Sequence, residues 1–293
     1  MTEIKTAVLI TCYNRKKETL ACLEGLSGQK LPEGIKVHIF LVDDGSSDGT
    51  EEEIRNTYPE VTLIKGDGSL YWNGGMRLAF SKALEYDYDY YLWLNDDVRL
   101  YDDALDRLLK TSKQLNSEGY STAIIAGSTC DSLTGKITYG GVIASPLWWE
   151  PLKHRLIKPD EKKPLPCHTM TGNCVLIPRE VARLTGNLDE SFTHYMGDTD
   201  YGLRNRMKGG TVWIAPGYMG TCSQNSDFIL RGNLSFKTLL KNINHPKAYP
   251  LKEWEVYIKR HKGRFWPLYL ILPYIKLIFR SLSYEITNFL GKG

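Results

Sequence analysis

Residues 37–50, VHIFLVDDGSSDGT, decide the fold, because a buried-type strand runs directly into two carboxylates, a glycine and further turn residues. Residues 7–15, AVLITCYNR, and residues 90–97, YYLWLNDD, repeat this arrangement of an apolar strand followed by a polar cluster. Helical patterns separate the three strands, which predicts βαβ units and a mostly parallel sheet in an α/β, Rossmann-like protein.

The second half of the chain changes character. Residues 137–143 and 170–177 look like strands without an intervening helix, so we expect the sheet to become mixed there. Between them, residues 145–166 are rich in proline and predict a long loop. The remaining predicted strands are residues 61–64, 123–126 and 212–215, and the predicted helices are residues 17–26, 50–57, 73–84, 102–115 and 198–207.

The composition is that of an ordinary globular protein, with 42% hydrophobic and 24% charged residues, and it excludes a disordered, collagen-like or coiled-coil chain. The formal net charge of +3 hides an asymmetry. Residues 1–230 carry 25 basic and 31 acidic side chains, whereas residues 231–293 carry 12 basic and 3 acidic ones. We therefore expect a boundary near residues 226–233, between an acidic body and a basic, aromatic tail.

The cysteines and the apolar runs give information about the cellular location of the protein. None of the six cysteines forms a CxxC pair, which favours a reducing, cytosolic environment. The N-terminal apolar run is too short for a secretory signal. No stretch is expected to reach the roughly 18 apolar residues of a membrane-spanning helix. The closest is residues 268–279, which contain Pro273 and Lys276.

Ligands of open α/β sheets bind outside the carboxyl ends of the strands, and three predicted strands end there in polar clusters. These clusters are residues 11–15, residues 43–46 and residues 95–97. Converging carboxylates need a positive partner, and oxygen ligands suit Mg²⁺ or Mn²⁺ bound together with a phosphate. Each cluster alone could instead be a turn or a helix cap. No GxGxxG or GxxxxGK[ST] motif is present to cradle a phosphate.

Five segments in order resemble family 2 glycosyltransferases of the GT-A fold, in particular their rhamnosyltransferase-like and galactofuranosyltransferase-like branch. The segments are TCYNR (11–15), VDDGSSDGT (42–50), GDGSLYWNGGM (66–76), NDD (95–97) and MGDTDYGLR (196–204). The resemblance spans about residues 6–225. It implies a catalytic domain over residues 1–228, with nucleotide-sugar binding in about 1–130 and the acceptor side in about 131–228, followed by a helical tail over 229–293.

The resemblance also implies a donor site and a metal ligand. Tyr13 would pack on the nucleotide base, and Asp43 or Asp44 would accept a hydrogen bond from it. Asp97 would bind Mg²⁺ or Mn²⁺. Asn95 replaces the family's first carboxylate, and its amide would bond to a sugar hydroxyl. The implied donor-binding residues are Thr11, Tyr13, Arg15, Asp43, Asp44, Trp72, Asn73, Gly74, Gly75, Asn95 and Asp96.

Asp198 matches the family's catalytic base, which must take the proton of the acceptor hydroxyl as that oxygen attacks the anomeric carbon. On the residues alone, Asp198 could simply cap a helix. Asp200, Arg204 and Trp148 are predicted to contact the acceptor, although Asp200 and Arg204 could form an ordinary salt bridge between successive helical turns. The branch often carries a histidine metal ligand where residues 217–225 lie, and this segment has Cys222 but no histidine.

The tail, residues 263–290, combines aromatic and aliphatic residues with flanking lysines and arginines. This pattern is typical of an interfacial helix on an anionic membrane, and the alternative is a helix packed on the core or on a dimer partner. Nucleic acid is not an expected partner, because the body is acidic and no recognition module is present.

The predicted function is an inverting transfer of a sugar from a dTDP- or UDP-sugar to a lipid-linked or polysaccharide acceptor in bacterial cell-surface glycan synthesis. The predicted location is cytoplasmic and peripheral on the inner face of the cytoplasmic membrane, with a homo-oligomer possible. Two alternatives stay open at this point: a nucleotidyltransferase, and a non-catalytic sugar-nucleotide-binding subunit.

Overall fold

The computed structural model describes residues 3–144, 154–224, 229–230, 234–248 and 250–290. The described strands are β1 (Ile4–Cys12), β2 (Ile35–Asp43), β3 (Thr62–Lys65), β4 (Tyr90–Leu94), β5 (Arg99–Leu100), β6 (Ala123–Cys130), β7 (Ile137–Tyr139), β8 (Gly141–Ala144), β9 (His154–Leu156), β10 (Leu165–Cys167), β11 (Thr169–Met170), β12 (Cys174–Pro178) and β13 (Thr211–Thr221). The described α-helices are α1 (Lys16–Ser27), α2 (Thr50–Thr57), α3 (Tyr71–Leu84), α4 (Ala104–Ser117), α5 (Arg179–Thr185), α6 (Gly197–Met207), α7 (Phe236–Asn242), α8 (Leu251–His261) and α9 (Trp266–Leu290).

Ten of the described strands form one sheet, ordered β10-β13-β6-β12-β4-β1-β2-β3, with β5 beside β13 and β7 beside β6. Strand β1 runs parallel to β2 and β4, and β2 runs parallel to β3. Strand β12 enters antiparallel between β4 and β6. The prediction of an α/β protein whose mostly parallel sheet becomes mixed in its second half is therefore confirmed. A separate sheet joins β11, β8 and β9.

Both faces of the large sheet are covered, as a mostly parallel sheet requires. Helices α1, α2 and α4 supply one apolar cluster, in which Leu23, Ile54 and Leu108 have no exposed surface. Helices α3, α5 and α6 supply the other, through residues such as Phe80 and Tyr201. Alternate residues of each central strand point into the two clusters, so the strand ends have fixed positions.

Several predicted elements differ from the observed ones. The predicted strand 170–177 is divided into β11 and β12, and residues 171–173 between them form a turn. Part of the predicted loop 145–166 contains β9 and β10, while residues 145–153 lie outside the described residues. Helix α5 was not predicted, because its seven residues are too few to show a period.

Two compact units divide the chain, one comprising residues 1–190 and 197–224, the other residues 191–196 and 225–293. In the second unit, Leu239 of α7 and Leu277 of α9 belong to one small apolar cluster. Segment 191–196 packs on α8, where the Thr193 N–H donates to Glu253 Oε2 at 3.1 Å. The predicted boundary after residue 228 adjoins residues outside the described ones, and the predicted division into domains stays a prediction.

Helix α9 forms the C-terminal part of the predicted helical tail. The helical stretch of residues 263–288 is long and apolar enough, by length and composition, to cross a membrane. The expectation that no stretch reaches this length was therefore wrong, because Pro273 and Lys276 do not interrupt the helix.

Candidate active site

The carboxyl ends of β1, β2 and β4 meet at one edge of the sheet, because the three strands are parallel neighbours. The three predicted polar clusters follow these strands directly. Asn14 joins the first two clusters, since its N–H donates to Ser46 Oγ at 2.8 Å and its Oδ1 accepts from the Ser47 N–H at 2.7 Å. Asn14 has a φ of 50°, a left-handed conformation that asparagine tolerates better than most residues.

Asp43 and Asp44 are each 3% exposed at this edge. Asp43 Oδ1 accepts from the Ser46 N–H at 2.9 Å, which closes the turn after β2. Both oxygens of Asp44 accept backbone N–H groups of the next predicted motif, from Gly68 at 2.9 Å and from Tyr71 at 3.0 Å. Asp44 therefore fixes the loop that leads into α3.

The predicted donor-binding residues Trp72, Asn73, Gly74 and Gly75 lie in the first turns of α3. A Cβ on Gly75 would overlap the Thr11 side chain, so this glycine lets α3 pack closely on β1. A Cβ on Gly74 would lie 3.3 Å from Leu70 Cβ, which is also a packing contact. Asn73 has no exposed surface, and its Nδ2 donates to the Asp189 carbonyl at 3.0 Å. A donor contact by Asn73 would require this bond to open, and it stays a prediction.

The two carboxylates after β4 pair with a partly exposed cation, Arg15, from the cluster after β1. Arg15 Nη2 lies 2.9 Å from Asp97 Oδ2, and Arg15 Nη1 lies 3.3 Å from Asp96 Oδ1. Burial raises the pKa of Asp96 to about 7, although Arg15 acts in the opposite direction. The second Asp97 oxygen, Oδ1, accepts a contact from the Cys222 thiol at 3.4 Å. Tyr13, by contrast, is 52% exposed and free to pack on a planar ligand.

Carboxylate oxygens are the ligands that Mg²⁺ and Mn²⁺ prefer, and Asp96 Oδ2 is buried without a hydrogen bond among the described residues. These observations fit a cation held by Asp97 beside Asp96. No group of three or more His, Cys, Asp or Glu residues that could hold a metal is found in the described part of the chain. A donor diphosphate would therefore have to supply further ligands.

Asp198 lies in the first turn of α6, where the helix dipole favours a carboxylate. Its Oδ2 accepts the Gly172 N–H and its Oδ1 accepts the Thr199 N–H, both at 2.7 Å. Burial nevertheless raises the pKa of Asp198 above its ordinary value, with these hydrogen bonds acting in the opposite direction. A fixed carboxylate with a raised pKa suits a general base.

Trp72 lies between the base and the cluster after β4. Its indole Nε1–H donates to Asn95 Oδ1 at 2.7 Å. A Cβ on Gly172 would overlap the Trp72 ring and would lie 3.2 Å from Asp198 Cβ. The structure therefore brings the predicted residues Trp72, Asn95 and Asp198 into one contiguous group. Gly172 was not predicted, because a single glycine in a loop carries no distinctive signal.

The predicted acceptor residues are placed differently. Asp200 has no exposed surface and pairs with Arg204 Nε at 2.6 Å. Arg204 also donates to the carbonyls of Thr185 and Asn187, both at 2.9 Å. An acceptor contact by either side chain would require this network to open, and it stays a prediction. Trp148 lies outside the described residues.

A model of the family described as Glycosyl transferase family 2 matches residues 7–185. Two Mycobacterium tuberculosis proteins, from strains CDC 1551 / Oshkosh and ATCC 25618 / H37Rv, are 25% identical over 188 residues. Both are named N-acetylglucosaminyl-diphospho-decaprenol L-rhamnosyltransferase, and the match covers 57% of this chain and 60% of each of them. The chain thus spans less than two thirds of the length of these curated relatives.

Among solved structures, S. aureus TarS superposes with a TM-score of 0.59 at 11% identity, covering 97% of this chain and 55% of TarS. A structure of TarS residues 1–349 gives a TM-score of 0.55 at 13% identity, with coverages of 98% and 92%. This likeness supports the fold alone, which is GT-A-like. Family members typically use a divalent cation. With the family model matching well over half of the chain, the protein belongs to glycosyl transferase family 2, and the nucleotidyltransferase alternative falls away.

Proposed function

We propose that this chain is an inverting glycosyltransferase that moves a sugar from a nucleoside diphosphate sugar to an acceptor hydroxyl. One observation carries the proposal. A carboxylate suited to act as a base, Asp198, is linked through Gly172 and Trp72 to the strand-end cluster that contains Asp97. A single displacement at an anomeric carbon requires a base for the attacking hydroxyl and, close to it, a group of residues that binds the diphosphate. In this proposal, Asp198 is the base and the cluster that contains Asp97 binds the diphosphate.

In this reaction Asp198 takes the proton of the acceptor hydroxyl as its oxygen bonds to the anomeric carbon. The bond from that carbon to the diphosphate oxygen breaks, and the nucleoside diphosphate leaves with the bonding electrons. Attack from the face opposite the leaving group inverts the anomeric centre. A divalent cation held by Asp97 would neutralise charge on the diphosphate. Arg15, which already pairs with Asp97, supplies a second positive charge to the same oxygens.

The donor is proposed to be a dTDP- or UDP-sugar, and the acceptor a lipid-linked or polysaccharide glycan in bacterial cell-surface synthesis. The support is the name of the mycobacterial relatives, which specifies rhamnose transfer to a diphospho-decaprenol-linked sugar. We further propose a cytoplasmic location, peripheral on the inner face of the cytoplasmic membrane. A homo-oligomer stays a prediction.

The surface of α9 supports membrane contact in the plane of the interface. Its buried side includes Leu277 and Ser281, which are 7% and 2% exposed and lie one turn apart. At 100° per residue, the opposite side presents a narrow apolar stripe, and Lys276 and Arg280 both lie on one side of it. The stripe consists of Leu268, Ile271, Ile275, Phe279, Leu282 and Ile286, each at least 40% exposed.

The membrane proposal is tested by sedimentation with liposomes that contain anionic lipid. Replacing Ile275 and Phe279 by serine should reduce the bound fraction severalfold, because both side chains are exposed and leave the packed side unchanged. Leu133→Ser is the matched control, since Leu133 is 94% exposed in a loop of the other unit. Unchanged binding of the double variant would contradict the proposal.

The transfer proposal is tested with a panel of nucleoside diphosphate sugars, by mass spectrometry of the released nucleoside diphosphate. Asp198→Asn should lose about 10²–10⁴-fold in rate with the preferred donor, because the amide cannot accept the proton. The control Asp102→Asn changes an exposed surface ion pair with Lys30 and should keep full activity. Full activity of Asp198→Asn would exclude this base. Release from no donor, without stabilisation by any nucleoside diphosphate, would favour the remaining alternative of a non-catalytic subunit.

A further inference from the structure

Asn95 stands where the family's acidic motif has its first carboxylate, and the structure gives its side chain a different partner. The Asn95 Oδ1 accepts the Trp72 indole N–H at 2.7 Å, across 23 residues of sequence. An amide oxygen that is committed to a short, well-placed hydrogen bond is a poor ligand for a divalent cation. The side chain therefore has a structural task at the edge of the site.

Trp72 is held from other sides as well. Its ring meets Trp93 edge to face, with the ring centroids 6.2 Å apart. The Trp72 atoms Cζ2 and Cη2 occupy the space that a Cβ on Gly172 would fill. The hydrogen bond that the indole donates to Asn95 Oδ1 fixes the remaining freedom, which is rotation of the indole about its own side-chain bonds.

The contact with Gly172 connects this tryptophan to the base. The Gly172 N–H donates to Asp198 Oδ2 at 2.7 Å. The peptide group in contact with the Trp72 ring is therefore the same one that holds the Asp198 carboxylate by a hydrogen bond. The Asn95 backbone also takes part, because its N–H donates to the Asn173 carbonyl at 2.9 Å. A shift of the indole would therefore move the turn that holds Asp198.

We propose that Asn95 is a positioning residue that acts through Trp72. Its amide oxygen locks the indole against Gly172, and this keeps the Asp198 carboxylate in a fixed place relative to Asp97. The inference rests on the proposed function for its kinetic consequence, and it goes beyond that function in naming what holds the base and the diphosphate-binding cluster together. It replaces a direct sugar contact or metal contact as the role of Asn95.

The first test needs no substrate. In a ¹H–¹⁵N spectrum, the indole resonance that Trp72→Phe removes identifies the Trp72 N–H. Asn95→Leu, which is nearly isosteric but has no acceptor, should shift that resonance upfield, because the hydrogen bond is lost. Asn95→Asp keeps an acceptor and should leave the resonance downfield. An unmoved Trp72 resonance in Asn95→Leu would overturn the proposal, whatever the protein catalyses.

The second test is a double-mutant cycle on donor turnover. Asn95→Leu alone should lower kcat/KM about tenfold, since it leaves the partly buried Trp72 indole N–H unpaired. In the Trp72→Phe background, the same substitution should change kcat/KM by less than about twofold, because the indole N–H through which Asn95 acts is already absent. An equal loss in both backgrounds would show that Asn95 contacts the sugar or the cation directly, and would overturn the proposal.

Thermal unfolding of the four proteins serves as the control for folding, and Asn95→Asp supplies a second acceptor-retaining variant for the kinetics. If no nucleoside diphosphate sugar is turned over by the unsubstituted protein, the proposed function fails. The indole resonance test would still confirm or overturn the positioning role of Asn95, because it does not depend on turnover.

Discussion

Four carboxylates at one edge of the sheet are held in two different ways. Asp44 and Asp198 accept backbone N–H groups at both of their oxygens, whereas Asp96 and Asp97 share the guanidinium of Arg15. A backbone N–H cannot leave without local unfolding, so the first two carboxylates have permanent partners. A side-chain cation can turn towards a ligand. The difference separates carboxylates that fix the site from those that can exchange partners on binding.

The largest expected effect concerns the proton-accepting role of Asp198. A base must be deprotonated, so kcat/KM should fall as the pH falls through the Asp198 pKa, with a limiting slope of about tenfold per pH unit. Burial raises that pKa above the ordinary value of 3.8, so the loss should begin at a higher pH than for an exposed aspartate. The measurement is a pH profile of kcat/KM for the preferred donor, and a flat profile down to pH 4 would contradict it.

Removing a carboxylate with backbone partners should destabilise the fold. Asp44→Ala leaves the N–H groups of Gly68 and Tyr71 without an acceptor, which should lower the free energy of unfolding by about 2–4 kcal/mol. Chemical denaturation measures the loss. Asp67→Ala is the control and should cost much less, because among the described residues the hydrogen bonds of the Asp67 side chain stay within its own exposed turn, to Ser69. Equal losses of unfolding free energy in the two variants would show that the hydrogen bonds of Asp44 contribute no more to stability than those of Asp67.

The turn whose Gly172 N–H donates to Asp198 can be disturbed without changing the carboxylate itself. In Gly172→Ala, the added Cβ would overlap the Trp72 ring, so we expect about 1–3 kcal/mol of destabilisation and a clear loss of turnover. Gly25→Ala in α1 is the matched control, since its nearest neighbour outside the helix is the Leu100 backbone nitrogen at 3.8 Å. That change should be neutral or slightly stabilising. Identical behaviour of the two variants would argue against close packing at Gly172.

The smallest expected effect concerns the exchangeable partner. Arg15→Gln removes the positive charge that faces Asp97, so Mn²⁺ should bind the protein without nucleotide severalfold more tightly. Electron paramagnetic resonance of free Mn²⁺ measures this affinity directly. Lys16→Gln is the control, because Lys16 pairs with the exposed Glu53 instead. Weaker Mn²⁺ binding by Arg15→Gln would show that the guanidinium does not compete with the cation.

Local patterns predicted much of the fold and the composition of the site. The apolar strands and their terminal polar clusters were correctly placed, because both strand burial and turn formation depend on short runs of consecutive residues. The short pieces of the second half were harder. Strands β9 and β10 have three residues each, and α5 has seven, so none of them is long enough to display a period.

The sequence predicted which residues lie at the site better than it predicted what each of them contacts there. The pattern predicts Gly74 and Gly75 near a ligand, which stays a prediction, and the structure adds that Gly75 lets α3 pack closely on Thr11. Asp200 is predicted to contact an acceptor, which also stays a prediction, and the structure adds that it is fully buried against Arg204. In each case the residue type is compatible with both a binding role and a packing role, and only the packing contacts follow from the tertiary structure.

The sequence by itself determined that polar clusters follow three strands and that helices connect those strands, and this suffices to bring the clusters to one edge, since parallel strands share a direction. Only the tertiary structure decided which group each side chain meets. Asn95 meets Trp72, Asp198 meets the Gly172 peptide, and Asp97 meets Arg15. Such pairings depend on side-chain directions fixed by packing between distant segments, and no local pattern carries that information.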